Sequence, residues 1–396
     1  MTPASTEILI LVLGGLAAAA ATSFVLTPVA ASLARRADAI DRPDPRRRVH
    51  SLPTPRGGGL AVALAFGLVS VIALLAAGAI GILPARTSID PLQFAALLVG
   101  VVVAAGLGFV DDRWEVPARW QLLAQGGLAL LVVGAGITID FINNPFGRGF
   151  IRFDEVFAVV FTTVWVVGMI NSINFIDGLD GLSTGVALIA ALTLGIISLS
   201  TSQYQPWVAV LCAILVGSLA GFLPWNFHPA HVFIGTAGVY VIGFALAVLS
   251  ILGTAKVAVA LLVLGVPIID TFWIIVRRLR EGQSPFTPDR GHFHHRLLDL
   301  GLSHREAVLL IYVLCAALAV LSLFLSGSGQ LYAFMGIVVA GGVVLALVTR
   351  RAREAREALE ASTYESPDGP AGDVVKRANG GRLERRGRAQ QPDRAD

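Results

Sequence analysis

Long apolar stretches alternate along this chain with short polar ones. A helix needs about 20 mainly apolar residues to cross some 30 Å of hydrocarbon. Eleven runs have that character, at about 7–30, 58–83, 92–110, 119–139, 155–172, 181–200, 206–223, 235–253, 255–276, 306–326 and 331–349. Each predicts a helix that is hydrophobic all round, as a segment lying in lipid or packed among other such helices must be. The eighth and ninth runs almost merge. Gly253 and the charged Lys256 mark the break, since the two together are too long for one crossing.

Composition then removes the soluble classes. The chain of 396 residues is 55% hydrophobic and 14% charged, whereas a water-soluble domain takes about a quarter of its residues charged. The expected fold class is an all-α polytopic integral membrane protein. Cys212 and Cys315 both fall inside apolar runs without metal-site spacing, so neither a disulfide framework nor a zinc site is expected.

Charge sets the orientation. Met1 to Thr6 carries no basic residue and the first basic cluster follows the first run, which predicts an uncleaved first helix with the N-terminus outside. With eleven spans, 26 of the 30 Lys and Arg fall on one side, and only Arg86, Arg148, Arg152 and Lys256 on the other. The rich side, with the C-terminus, is expected to be cytoplasmic. The same placement accounts for the net charge of +3 without a nucleic-acid partner. Residues 1–349 are thus expected to be the membrane domain and 350–396 a basic cytoplasmic tail, helical to about Ser362 and then disordered. No internal repeat is evident, so the inverted-repeat signature of many transporters is missing.

Five polar loops converge on the inferred cytoplasmic side. The first carries Asp41, Arg46, Arg47, Arg48, His50, Thr54 and Arg56 before Gly57, Gly58 and Gly59. Arginines beside a glycine-rich helix start suit a phosphate, although a topology signal and a turn would look the same. The second is the pair Asp111 and Asp112, fit to hold a cation or take a proton, or simply a helix-end pair partnered by Arg113 or Arg119. In the third, Asn171 and Asn174 precede Asp177-Gly178-Leu179-Asp180-Gly181, an oxygen-rich concavity suited to Mg²⁺ or to ribose and base. An Asx turn with Asp180 capping the next helix explains one aspartate and not both. The fourth holds Asn226, His228, Phe233, Gly235 and Thr236. The fifth holds Asp289, Arg290, His292, His294, His295 and Arg296, cations and proton carriers for a polyanion such as a pyrophosphate. Asp270, inside the ninth run, is an intramembrane carboxylate that either acts or pairs with a neighbour.

As an ordered set these motifs resemble the polyprenyl-phosphate N-acetylhexosamine-1-phosphate transferases, the superfamily that includes the phospho-N-acetylmuramoyl-pentapeptide translocases. The resemblance covers about residues 1–330. It rests on Arg46 to His50 with Thr54-Pro55-Arg56-Gly57-Gly58, on Phe109-Val110-Asp111-Asp112, on Asn174 to Leu182, on Pro267 to Thr271, and on Asp289 to Arg296. The His292-Phe293-His294-His295-Arg296 form is similar to the N-acetylglucosamine-1-phosphate branch. The resemblance implies a bacterial plasma-membrane enzyme with its active site facing the cytoplasm. It would transfer the sugar phosphate from UDP-N-acetylglucosamine, or a related UDP-N-acetylhexosamine, to undecaprenyl or decaprenyl phosphate, with release of UMP. It also implies Mg²⁺, with Mn²⁺ as a substitute, and a possible homodimer.

By the same resemblance, Asp111 or Asp112 would activate the lipid phosphate, and Asp177 with Asp112 would hold the metal. Arg46, His50, Thr54, Arg56, Asn174, Asp180, Asn226, Phe233, Arg290, His292, His294, His295 and Arg296 would bind substrate, with Phe233 stacked on uracil. One position departs from the pattern. Where the family usually reads Phe-x-Gly-Asp-x-Gly-Ser, with the Asp a metal ligand, this chain reads Phe233-Ile234-Gly235-Thr236-Ala237-Gly238-Val239. A neutral hydroxyl is a poor ligand for a hard dication. The alternative expectation is therefore a catalytically impaired homologue that binds lipid phosphate or UDP-sugar.

Overall fold

The computed structural model describes residues 3–42, 53–79, 90–144, 146–147, 149–200, 204–253, 257–280, 282, 292–325 and 328–365. The expectations for Arg46, Arg47, Arg48, His50, Arg86, Arg148, Lys256, Asp289 and Arg290, and for the tail beyond residue 365, lie outside the described residues.

The elements run α1 (Pro3–Arg36), β1 (Ile40–Asp41), β2 (Thr54–Pro55), α2 (Gly58–Ala79), α3 (Pro91–Trp114), α4 (Ala118–Gly134), β3 (Phe141–Asn143) and β4 (Phe150–Arg152). They continue with α5 (Glu155–Ile176), α6 (Leu182–Ser198), α7 (Pro206–Asn226), α8 (Gly235–Leu252), α9 (Val257–Val263), α10 (Gly265–Arg280), α11 (Phe293–Asp299), α12 (His304–Phe324) and α13 (Ser328–Glu365). Among the described residues helix is found within each of the eleven apolar runs, but not eleven crossings. Among the described residues, seven helices are long and apolar enough to cross a membrane, and α9 with α10 makes an eighth if they are one span broken by 77°. α4 and α6 have only 17 residues each. The chain is a nearly all-helical, multi-pass membrane protein.

The ninth run differs from a straight crossing for a local reason. Leu264 is a turn, and Pro267 stands in the first turn of α10, where its missing N–H breaks no hydrogen bond. Proline therefore starts a second helix here and cannot continue the first.

Two compact units divide at Val339 and Ala340. In the first, α7 and α8 form the centre, each 89% buried over its apolar window, against 28% for α1 and 33% for α12. α1 and α6 pack on α7, and α3 and α5 on α8. The closest approach is made by small residues. Gly217 and Gly221, one turn apart on α7, meet the backbone carbonyls of Leu16 and Ala20, where a Cβ would lie about 2 Å from the oxygen. Outer faces carry exposed Leu75, Val102, Val160 and Val313, apolar positions that suit lipid. The second unit holds the C-terminal part of α13, helical to Glu365.

The two small sheets are short antiparallel pairs, β1 with β2 and β3 with β4. The first matters to the site. Asp41 pairs with Thr54, the N–H of Arg56 donates to Ala39 O at 3.0 Å, and the N–H of Phe233 donates to Pro55 O at 3.0 Å. The segment before α2 is thereby clipped between the end of α1 and the start of α8.

Candidate active site

The ends of α1, α3, α5 and α7 and the starts of α2, α6, α8 and α12 meet around one polar cavity of about 320 Å³. Asp41, Arg56, Asp112, Asn174, Asp177 and Asp180 line one part of it. Asn226, Phe233, Thr236, His295 and His304 line the rest. All five predicted loops contribute to it. Helices that alternate in direction return every second connection to the same end of the bundle, which is why motifs far apart in sequence converge.

Asp112 closes α3 with its side chain buried. Its carboxylate accepts the backbone N–H of Thr236 at 2.8 Å and of Ala237 at 3.0 Å, and an Arg56 nitrogen lies 3.9 Å away. Two of the N–H groups that α8 leaves unpaired at its start are so satisfied by a carboxylate from another helix. The other Arg56 nitrogen donates to Asp41. Arg113, the sequence-adjacent candidate partner, instead approaches Asp38 at 3.8 Å.

Asp111 is not among the cavity-lining residues. It accepts from the Val116 N–H at 2.9 Å, the Gln121 amide at 2.8 Å and the Thr236 hydroxyl at 2.7 Å. The hydroxyl at the departing position therefore acts as a donor to the aspartate pair. Gln121 in turn accepts from the Tyr240 hydroxyl at 2.9 Å.

Asp177 follows α5 and accepts from the Ser183 hydroxyl. Burial pushes its carboxyl up to about 7, against the lowering effects of Ser183 and the Arg56 charge. Asp180 does not cap α6, whose N-cap is Gly181. Its carboxylate accepts from His228 Nδ1 at 2.7 Å and the Ala230 N–H at 3.1 Å, while its own N–H donates to His304 Nε2 at 2.8 Å. The His228 and His304 rings stack 4.1 Å apart. Asn226 is buried with both ends of its amide engaged: it accepts from Thr184 and donates to Val232 O. Its place at the cavity is that of a strut for the 227–234 loop.

In the fifth loop, His295 reaches the cavity and His292, His294 and Arg296 do not line it. His294 is 2% exposed, and neither of its ring nitrogens has a hydrogen-bond partner. Burial, and after it the neighbouring histidines, hold it well below the usual histidine value, so it is neutral. It packs on Gly178, where a Cβ would lie 2.0 Å from His294 Nε2. Thr54, expected to bind substrate, is buried in β2 and does not line the cavity.

Asp41, which the first loop carries, joins the network, and Ser183, Gln121 and His304 complete it without having been singled out from sequence. His304 opens α12 behind the capping box of Ser303 and Glu306, and its neighbourhood reads simply as a helix start. Only the fold brings it to Asp180.

The carboxylates of Asp112 and Asp177 line one cavity. That donor set fits a hard dication such as Mg²⁺.

A family model described as glycosyl transferase family 4 matches residues 94–254. A probable undecaprenyl-phosphate N-acetylglucosaminyl 1-phosphate transferase of Bacillus subtilis is 33% identical over 300 residues, covering 74% of this chain and 79% of that protein. The decaprenyl-phosphate N-acetylglucosaminephosphotransferase of Mycobacterium tuberculosis is 36% identical over 373 residues, covering 86% and 90%. An undecaprenyl-phosphate alpha-N-acetylglucosaminyl 1-phosphate transferase of Thermotoga maritima is 29% identical over 283 residues, covering 69% and 77%.

Proposed function

The chain belongs to glycosyl transferase family 4, and from that premise we propose that it transfers N-acetylglucosamine 1-phosphate, or a related N-acetylhexosamine 1-phosphate, from the UDP-sugar to a polyprenyl phosphate. An oxygen of the lipid phosphate attacks the sugar-linked phosphorus. The bridging P–O bond breaks, and its electron pair leaves with UMP. The setting is a bacterial plasma membrane, with the cavity at its cytoplasmic face.

The observation that carries this reading is the convergence of Asp112, Asp177 and Asp180 with Arg56 on one cavity among apolar helices. Two anions must meet there, so cationic compensation dominates the chemistry. Arg56, placed between Asp41 and Asp112, faces the diphosphate, and His295 approaches it from the opposite loop. Asp112 is the cavity-facing member of the aspartate pair and accepts the remaining proton of the lipid phosphate at its carboxylate. Phe233 offers a ring to the uracil, and Asn174 and Asp180 offer hydrogen bonds to ribose and base. Mg²⁺, held by Asp177 with Asp112, would neutralise charge on the diphosphate.

The test is UMP release by the purified chain in detergent with undecaprenyl phosphate, UDP-N-acetylglucosamine and titrated Mg²⁺. Mg²⁺-dependent release that disappears in Asp112→Asn supports the reading. Tight binding of UDP-sugar or lipid phosphate without any release would replace it with a binding role.

A further inference from the structure

Asp270 sits in α10, 4% exposed, and does not line the cavity. A carboxylate in such a place is costly unless its oxygens are satisfied. Both are. One accepts from His292 Nδ1 at 2.9 Å and the other from the backbone N–H of Phe293 at 2.8 Å. His292 is the N-cap of α11 and supplies no side-chain cap itself, so the carboxylate from α10 does that work.

The contact has consequences along α11. A carboxylate in its ionised form only accepts, and with Asp270 in that form the proton of this pair is on His292 Nδ1 and Nε2 is left for other partners. The His292 ring lies 5.8 Å from Phe175 and is nearly parallel to His294, 5.5 Å away. His294 continues to His295 at 4.4 Å, and His294 presses on Gly178 while His295 reaches the cavity. A row of rings thus runs from the buried carboxylate to the loop that carries Asp177 and Asp180.

We propose that Asp270 is a positioning residue, which acts through His292 Nδ1 and the Phe293 N–H to set the His292 tautomer and to seat α11 against the 177–180 loop. The proposal rests on the transferase reading only for its effect on turnover. Its structural content stands apart from that reading.

The informative variant is Asp270→Asn, which keeps the shape. Asparagine has one acceptor oxygen for two donors. If that oxygen keeps the Phe293 N–H, the amide NH₂ faces His292 Nδ1 and forces the ring to accept there, moving the proton to Nε2. ¹⁵N-histidine NMR of the detergent-solubilised, ligand-free chain, assigned with a His292→Gln variant, reads this directly. The expected result is a protonated Nδ1 in the wild type and an unprotonated Nδ1 in Asp270→Asn. In the UMP assay, Asp270→Asn is expected to lower kcat/KM at least tenfold, and less than twofold when placed on His292→Ala.

An unprotonated Nδ1 in the wild type overturns the proposal, and so does a tautomer unchanged by Asp270→Asn or losses that multiply in the double variant. If the wild type releases no UMP, the transferase reading fails while the tautomer measurement still decides the role of Asp270. The wild-type spectrum decides it even if the variant does not fold.

Discussion

The carboxylate of Asp112 receives the backbone N–H of Thr236 across 124 residues of sequence, so that α8 is capped by the end of α3 and not by its own chain. Asp112→Asn keeps one acceptor oxygen and turns a donor toward the second N–H. A buried donor left unpaired costs about 1–3 kcal/mol, and the lost charge at the helix start adds about 0.3–1 kcal/mol. A lower Tm is therefore expected together with a fall in UMP release of about 100-fold or more. Thermal melts and initial rates on the same preparation check this. An unchanged Tm would remove the capping role and leave only the chemical one.

Thr236 gives a second prediction. Its hydroxyl donates to Asp111 at 2.7 Å, so the aspartate pair is compensated by neutral donors and Arg56. Thr236→Asp places a third carboxylate beside two others. In metal-free buffer its Tm is expected to lie below that of the wild type. Mg²⁺ is expected to raise the variant by more than it raises the wild type, with about 2.7 kcal/mol available at 100 times Kd. Equal Mg²⁺ shifts in the two proteins would show that position 236 does not communicate with the metal region.

These two relationships mark where sequence reasoning stops. The positions of the helices were legible, because hydropathy is a local property that survives folding. Convergence of the five loops was legible too, because spans alternate in direction. The partner of Asp112 was not. Arg113 is its neighbour in sequence, yet Arg56 and the α8 backbone hold it. Asp270 shows the same limit: an intramembrane carboxylate announces that it has a partner, and only packing identifies His292. The break in the ninth run had a signal in Leu264-Gly265-Val266-Pro267, hidden by an otherwise continuous apolar stretch.

Gly178 carries a third prediction. A Cβ there would stand 2.0 Å from His294 Nε2, and His294 is too buried to swing aside. Gly178→Ala must therefore move α11 or the 177–180 loop, at about 1–3 kcal/mol for an overpacked contact. UMP release is expected to fall at least tenfold. Adding His294→Ala makes room for the methyl group and is expected to recover part of the lost Tm. A double variant no more stable than the sum of its parts predicts would place the strain elsewhere.

His294 also predicts how stability depends on pH. Its folded-state value lies well below the unfolded value of about 6.5 because burial disfavours the charged ring. Above pH 6.5 both states are neutral and its contribution to stability is complete. As pH falls below 6.5, the unfolded chain takes up a proton that the native ring refuses, and stability is lost at up to about 1.4 kcal/mol per pH unit. Tm is expected to drop between pH 7.5 and 5.5, and His294→Leu, which cannot titrate, is expected to flatten that drop. Parallel curves for the two proteins would assign the acid sensitivity to other groups.

Asp177 turns the same burial into a prediction about the metal. Its carboxyl is pushed up to about 7 by desolvation, which outweighs the Ser183 hydrogen bond and the Arg56 charge. A dication binds the carboxylate and not the acid, so below pH 7 each binding event must expel a proton. The Mg²⁺ concentration for half-maximal UMP release is accordingly expected to rise as pH is lowered from 7.5 to 6, by at most about tenfold per unit below 7. Asp177→Asn removes both the proton and the ligand. It is expected to need far more Mg²⁺ at every pH and to show little pH dependence in that requirement. Ser183→Ala discriminates further, because loss of its hydroxyl raises the Asp177 value again and should carry the Mg²⁺ requirement to higher pH. A half-maximal Mg²⁺ concentration that stays constant from pH 7.5 to 6 in the wild type would take Asp177 out of the metal site.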